Sequence, residues 1–222
     1  MATLKRQLTA DQRTANTPET GPNQQTSLPK VRLFHNFEAV TSGSLSMGKD
    51  QAHYLAKVLR LQTGAKVGLF NPTAGEWRCE ITALSKSSVE LNLCEQVRPA
   101  QSLPPLQLAF APLRKERMAF LIEKAVELGV TSLQPLTTEF TNWKFNAEKM
   151  LKTVMEAVEQ CERVDLPVLH DIQPLSAYLQ NLGAGQFVFA GLERDSAASA
   201  VSDLENLPET PSLLIGPEGG WS

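Results

Sequence analysis

The chain has 222 residues, 42% of them apolar, enough to fill one large core or two small ones, which excludes a wholly disordered protein. Its 21 basic and 24 acidic side chains leave a net charge of −3, so the molecule as a whole is no general polyanion binder. Three widely spaced cysteines (Cys79, Cys94, Cys161) and three scattered histidines (His35, His53, His170) form neither a disulfide framework nor a metal-ligand pattern, and no apolar run reaches the length of a membrane span. A reducing, cytoplasmic setting fits.

Residues 1–29 are rich in Gln, Thr, Asn and Pro and read as a disordered extension; their basic, hydroxyl-rich character also fits an organellar targeting peptide. Residues 30–98 are patterned as short strands: Val31–Phe37, Lys66–Phe70, Glu76–Leu84 and Ser88–Gln96, with a turn over Asn71-Pro72-Thr73-Ala74-Gly75. Such a turn-rich unit suggests a small β-barrel. One helix interrupts it, expected over Asp50–Leu61 and ended by Gly64, with Leu55, Val58 and Leu59 facing inward. On its other side His53, Lys57 and Arg60 fall at i, i+4 and i+7, a polar stripe that is either a solvated face or a track for a nucleic-acid backbone.

The Pro-rich residues 99–105 form a linker, and from 106 to 222 strands and helices alternate. Strands are expected at Leu106–Ala111, Ser132–Leu136, Pro167–Leu169, Gln186–Ala190 and Ser212–Ile215. Helices are expected at Glu116–Leu128, Asn146–Val164, Pro174–Leu182 and near Ala197–Leu204. This alternation defines an α/β domain with a parallel sheet covered by helices. In the long helix Leu151, Val154, Met155 and Val158 should face the core, with Asn146 as N-cap.

Three stretches carry candidate chemistry. Leu214-Ile215-Gly216-Pro217-Glu218-Gly219-Gly220 runs from a buried strand into a glycine turn, where the absence of Cβ atoms lets backbone approach a ligand; a purely structural tight turn is the alternative. Glu159-Gln160-Cys161-Glu162-Arg163 offers either an exposed i, i+4 ion pair or an arginine fork aimed over the ligand edge of the sheet. Arg114-Lys115-Glu116-Arg117 opens a helix directly after a strand, as a solvated cluster or a functional loop. Neither a dinucleotide fingerprint nor a P-loop occurs.

Taken in order, His53 with Val58-Leu59-Arg60, Lys115, Lys124 to Val130 leading to Pro135, Glu159-Gln160 with Arg163 and Pro167, and Leu214 to Gly220 resemble the RsmE family of bacterial rRNA methyltransferases, of the SPOUT superfamily. The resemblance covers about Val31 to Ser222. It implies a PUA-like RNA-binding barrel, a SPOUT trefoil-knot domain acting as a homodimer, S-adenosylmethionine as methyl donor, and N3 of one uridine in the 16S rRNA of the small subunit as acceptor. It further implies that Leu214, Ile215, Gly216, Pro217, Glu218, Gly219 and Gly220 belong to the cofactor loops.

On that basis Arg163 is expected to stabilise the uracil anion and Glu159 or Glu218 to act as base, with Arg32, His53, Lys57, Arg60 and Lys115 contacting rRNA and no metal involved. Family members continue past the glycine turn, so a chain ending at Ser222 is expected to lack the closing knot segment. The alternative expectation is a non-catalytic rRNA-binding remnant.

Overall fold

A computed structural model describes residues 28–38, 43–141, 143–184, 186–191 and 210–217. The first half is a five-stranded sheet in the order β1-β3-β4-β5-β2, built from β1 (Arg32–Phe34), β2 (Gly43–Met47), β3 (Lys66–Asn71), β4 (Gly75–Leu84) and β5 (Val89–Arg98). Alternation drives it: Trp77, Cys79 and Ile81 of β4 and Val89, Leu91 and Leu93 of β5 point into one core. The β3–β4 turn is fixed by Asn71, whose Oδ1 accepts from the backbone N–H of Thr73 and Ala74 while its Nδ2 donates to the carbonyls of His35 and Phe37. Gly75 closes the turn at φ 73°, and a side chain there would collide with the backbone of Arg98 and Pro99.

Two features depart from the sequence expectation. Strand β2, a Gly-Ser-Leu-Ser-Met run of low strand propensity, forms because it pairs antiparallel with β5 and buries Met47. The helix expected over 50–61 is regular only as α1 (Lys49–His53) and continues as a π-turn over Tyr54–Val58, closed by the Leu59 N–H on the Tyr54 carbonyl at 3.0 Å. The wider turn shifts the side-chain period. Leu55 is buried and Leu59 half-buried, but Val58 is exposed, and Arg60 lies beyond the helix at φ 55°.

The second half is a parallel sheet in the order β10-β11-β6-β7-β8, with β9 also on β7. Its strands are β6 (Gln107–Phe110), β7 (Ser132–Thr137), β8 (Val168–Leu169), β9 (Gln173–Pro174), β10 (Val188–Gly191) and β11 (Ser212–Ile215). Helices α2 (Lys115–Glu127) and α3 (Ala147–Gln160) pack against Leu108, Phe110 and Leu133 on one face, while α4 (Leu175–Gln180) covers Ala109, Leu136 and Leu214 on the other. Asn146 caps α3 by accepting from the Lys149 N–H at 2.8 Å.

Helix α3 stops four residues before Val164, because the chain turns through Glu162 at φ 60°. Its inward face is Met150, Val154, Ala157 and Val158; Leu151 and Met155 instead line a cleft of about 780 Å³ toward the β3–β4 turn. The helix expected near Ala197–Leu204 lies outside the described residues.

A buried ionic clasp joins the halves. The Glu76 carboxylate, fully buried in β4, accepts from Arg32 Nε at 2.8 Å and from Arg98 Nε at 2.7 Å. Arg32 donates its other N–H groups to the carbonyls of Glu159 and Arg163 at the end of α3, where the helix dipole favours a cation. Its guanidinium lies 4.4 Å over the Phe70 ring, and Phe70, although on β3, belongs to the core of the second half together with Phe110 and Leu133. Removing one partner of such a cluster leaves uncompensated buried charge. Glu76→Gln should therefore lower unfolding free energy by about 3–5 kcal/mol in urea titrations, whereas a loss under about 1 kcal/mol would show that the clasp is dispensable.

Candidate functional site

The carboxyl edge of the parallel sheet gathers the segments able to hold a ligand. Strand β11 lies between β10 and β6, in the interior of the sheet, so its carboxyl end opens onto the crevice where ligands of open α/β sheets bind. Leu214 is buried against Ala109, Leu136 and Tyr178, and the Ala111 N–H donates to the Ile215 carbonyl at 3.1 Å, tying the exits of β6 and β11 together. Gly216 follows half-buried and Pro217 buried. Glu218, Gly219 and Gly220 lie outside the described residues. Beside this turn begins α2, with Lys115 exposed in its first turn and the Arg114 guanidinium 5.8 Å over the Trp143 ring.

Glu159, Gln160 and Arg163 occupy the opposite edge. Helix α3 leaves β7 at the carboxyl edge and returns to the amino edge before β8, so its last turn stands a strand length from the glycine turn, roughly 13 Å for four residues. Arg163 is held there: Nη1 donates to the Val126 and Val130 carbonyls at 2.7 and 2.9 Å, and Nε to Asp165 at 3.0 Å. It neither pairs with Glu159 nor reaches over the ligand edge, because its donors finish the end of α2. Glu159 accepts instead from the Phe34 N–H at 2.9 Å, and burial raises its pKa, a push opposed by that hydrogen bond and by Arg32.

The expected RNA contacts also divide. Arg32 is not on the surface; it is buried in the clasp because four of its donor contacts are made within the chain. His53, Lys57 and Arg60 are exposed, yet the π-turn breaks the helical spacing that would align them in one stripe. Lys115 is exposed at the carboxyl edge. Sequence reasoning passed over Trp143, Lys144 and Lys149, although an aromatic among lysines in a strand-to-helix loop was a visible signal. Among the described residues no cluster of three or more His, Cys, Asp or Glu could hold a metal, and no helix is long and apolar enough to cross a membrane.

Comparison with known proteins places this architecture. A ribosomal RNA small subunit methyltransferase E from Neisseria gonorrhoeae, solved bound to S-adenosylmethionine, superposes with a TM-score of 0.74 over 88% of this chain and 82% of its own, at 20% identity. A Legionella pneumophila protein described as a methyltransferase, solved with the cofactor SAM, reaches the same TM-score at 26% identity over 86% of this chain and 81% of its own. The class is therefore the SPOUT-type α/β methyltransferase fold behind a PUA-like β unit. Family models agree, with an RNA methyltransferase domain over residues 101–222 and an RNA methyltransferase PUA domain over 48–94.

The chain belongs to the RNA methyltransferase family, among relatives named ribosomal RNA small subunit methyltransferase E. That of Rickettsia conorii is 29% identical over 86% of this chain and 79% of its own length; that of Synechocystis is 33% identical over 86% of this chain and 65% of its own.

The Glu159 environment has a pH signature. Because the carboxyl binds its proton more tightly folded than unfolded, the folded state is favoured below the ordinary value of 4.5, and this contribution is lost as pH rises through the raised value. Glu159→Gln keeps an oxygen for the Phe34 N–H and does not titrate. The stability of the native protein relative to this variant should therefore fall as pH rises above 4.5 in thermal melts; a difference that stays constant with pH contradicts the burial argument.

Proposed function

We propose that the protein transfers a methyl group from S-adenosylmethionine to N3 of a uridine in 16S rRNA. The observation that carries this reading is the Leu214–Pro217 exit of an interior parallel strand, in a chain of the RNA methyltransferase family. The residues present fit the donor: Gly216 offers backbone without a Cβ at the strand end, between buried Leu214 and Pro217, which suits a flat adenosine held by main-chain groups. When bound, the sulfonium supplies an already activated methyl group.

The protein's part is then to orient the acceptor and remove a proton. Uracil N3 carries its proton near neutrality; once a base takes it, the nitrogen lone pair forms the bond to the methyl carbon, the S–CH3 bond breaks, and its electrons stay on sulfur as S-adenosylhomocysteine leaves. Glu218, next after Pro217 in the chain, is the proposed base, and holding acceptor and methyl in line at about 3–3.5 Å supplies most of the remaining advantage. Glu159 and Arg163 act from the far edge by holding α2 and α3 in place, as positioning residues. His53, Lys57, Arg60 and Lys115 are surface contacts for rRNA backbone, and the active form is a homodimer.

Incubation with small ribosomal subunits and methyl-labelled donor should yield 3-methyluridine on nucleoside mass spectrometry. Glu218→Gln should lower kcat about 10²- to 10⁴-fold while leaving donor affinity within a few-fold. Donor binding without any transfer to RNA would favour a non-catalytic RNA-binding protein.

A further inference from the structure

Between the first turns of α2 and α3 lies a groove of about 560 Å³ with an unusual charge pattern. Lys115, Lys144 and Lys149 line it together with Trp143, Phe145 and Met150, and among the described residues no acidic side chain does. A neighbouring depression between the same two helices is lined by Glu123, Glu127 and Glu156, so the positive charge is confined to the carboxyl-edge end. Glu148, on the first turn of α3, lines the other cleft, toward the β3–β4 turn. The Trp143 side chain is 45% exposed, with Arg114 over its ring at 5.8 Å.

The groove starts at Pro112, one residue past the Ala111 N–H that bonds the Ile215 carbonyl, so this end of it lies at the same sheet edge as Gly216. Cations interleaved with an accessible aromatic ring match the two parts of a single strand of nucleic acid, whose phosphates need charge and whose bases need a stacking face. A duplex offers no free base face to Trp143.

We propose that this groove seats a single-stranded RNA segment flanking the target nucleotide, with one base stacked on Trp143 and backbone phosphates on Lys115, Lys144 and Lys149. The inference rests on the methyltransferase reading, since a strand held here delivers its neighbouring base to the glycine turn.

Binding of a fluorescein-labelled, uridine-rich single-stranded ten-mer to the full chain tests it, with the corresponding duplex as control and thermal melts to confirm folding. Trp143→Ala should weaken single-strand binding about tenfold or more, Trp143→Phe should retain it within a few-fold, and neither should change duplex affinity. Replacing Lys115, Lys144 and Lys149 together by Gln should reduce the slope of log affinity against log salt by about 2, from about 0.7 per phosphate contact on a single strand. Single-strand affinity unchanged by Trp143→Ala overturns the proposal, as does absence of single-strand binding, which would leave the groove to an acidic protein partner. If methyl transfer proceeds while Trp143→Ala binds RNA normally, the groove assignment alone fails. If transfer is absent but RNA binding depends on Trp143, the reaction assignment alone fails.

Discussion

Everything the molecule can do at its carboxyl edge depends on a buried carboxylate far from it. Glu76 is fully enclosed between the guanidiniums of Arg32 and Arg98, a charge arrangement that is tolerable only with both partners present and hydrogen-bonded. Arg32 then extends the cluster across the boundary between the two sheets, to carbonyls at the end of α3, and Phe34 adds its own N–H to the Glu159 carboxylate. Phe70 and Phe34, edge to face with centroids 5.9 Å apart, join the core of the parallel sheet, so apolar packing and ion pairing fix the same interface.

That interface lies at the amino edge. Among the described residues the two halves are thus tied together at one end of the parallel strands, while at the other end Lys115 and Trp143 are exposed and Gly216 is half-buried. Arg163 completes the division of labour by closing the last turn of α2 through the Val126 and Val130 carbonyls. A guanidinium with its donors used in this way fixes geometry. The same groups that look reactive in a linear reading, Glu159 with Arg163, make hydrogen bonds that tie β1 and α2 to the end of α3.

Much of this was legible in the sequence wherever local pattern and tertiary packing agree. The parallel strands, the Asn146 cap and the Asn71–Gly75 turn follow from periodicity and turn chemistry. The π-turn at Tyr54–Val58 was not legible, because a helix-length pattern does not reveal an i→i+5 closure, and with it went the burial of Val58 and the alignment of His53, Lys57 and Arg60. Strand β2 depends on its partner β5 and has no signal of its own. Arg32, Glu159 and Arg163 were visible as charges, but their burial arises from contacts more than 120 residues apart in the chain for Arg32 with Glu159 and Arg163, which spacing cannot encode.

The account's central claim is that methyl donor and RNA meet at the carboxyl edge while the Glu159–Arg163 turn only braces the fold. Photo-crosslinking with an azido derivative of S-adenosylmethionine, mapped by peptide mass spectrometry, tests it most directly. The account predicts labelled peptides from the β11 exit around residues 213–220 and none from 159–163. Labelling concentrated at 159–163, with the β11 exit unmodified, would contradict it.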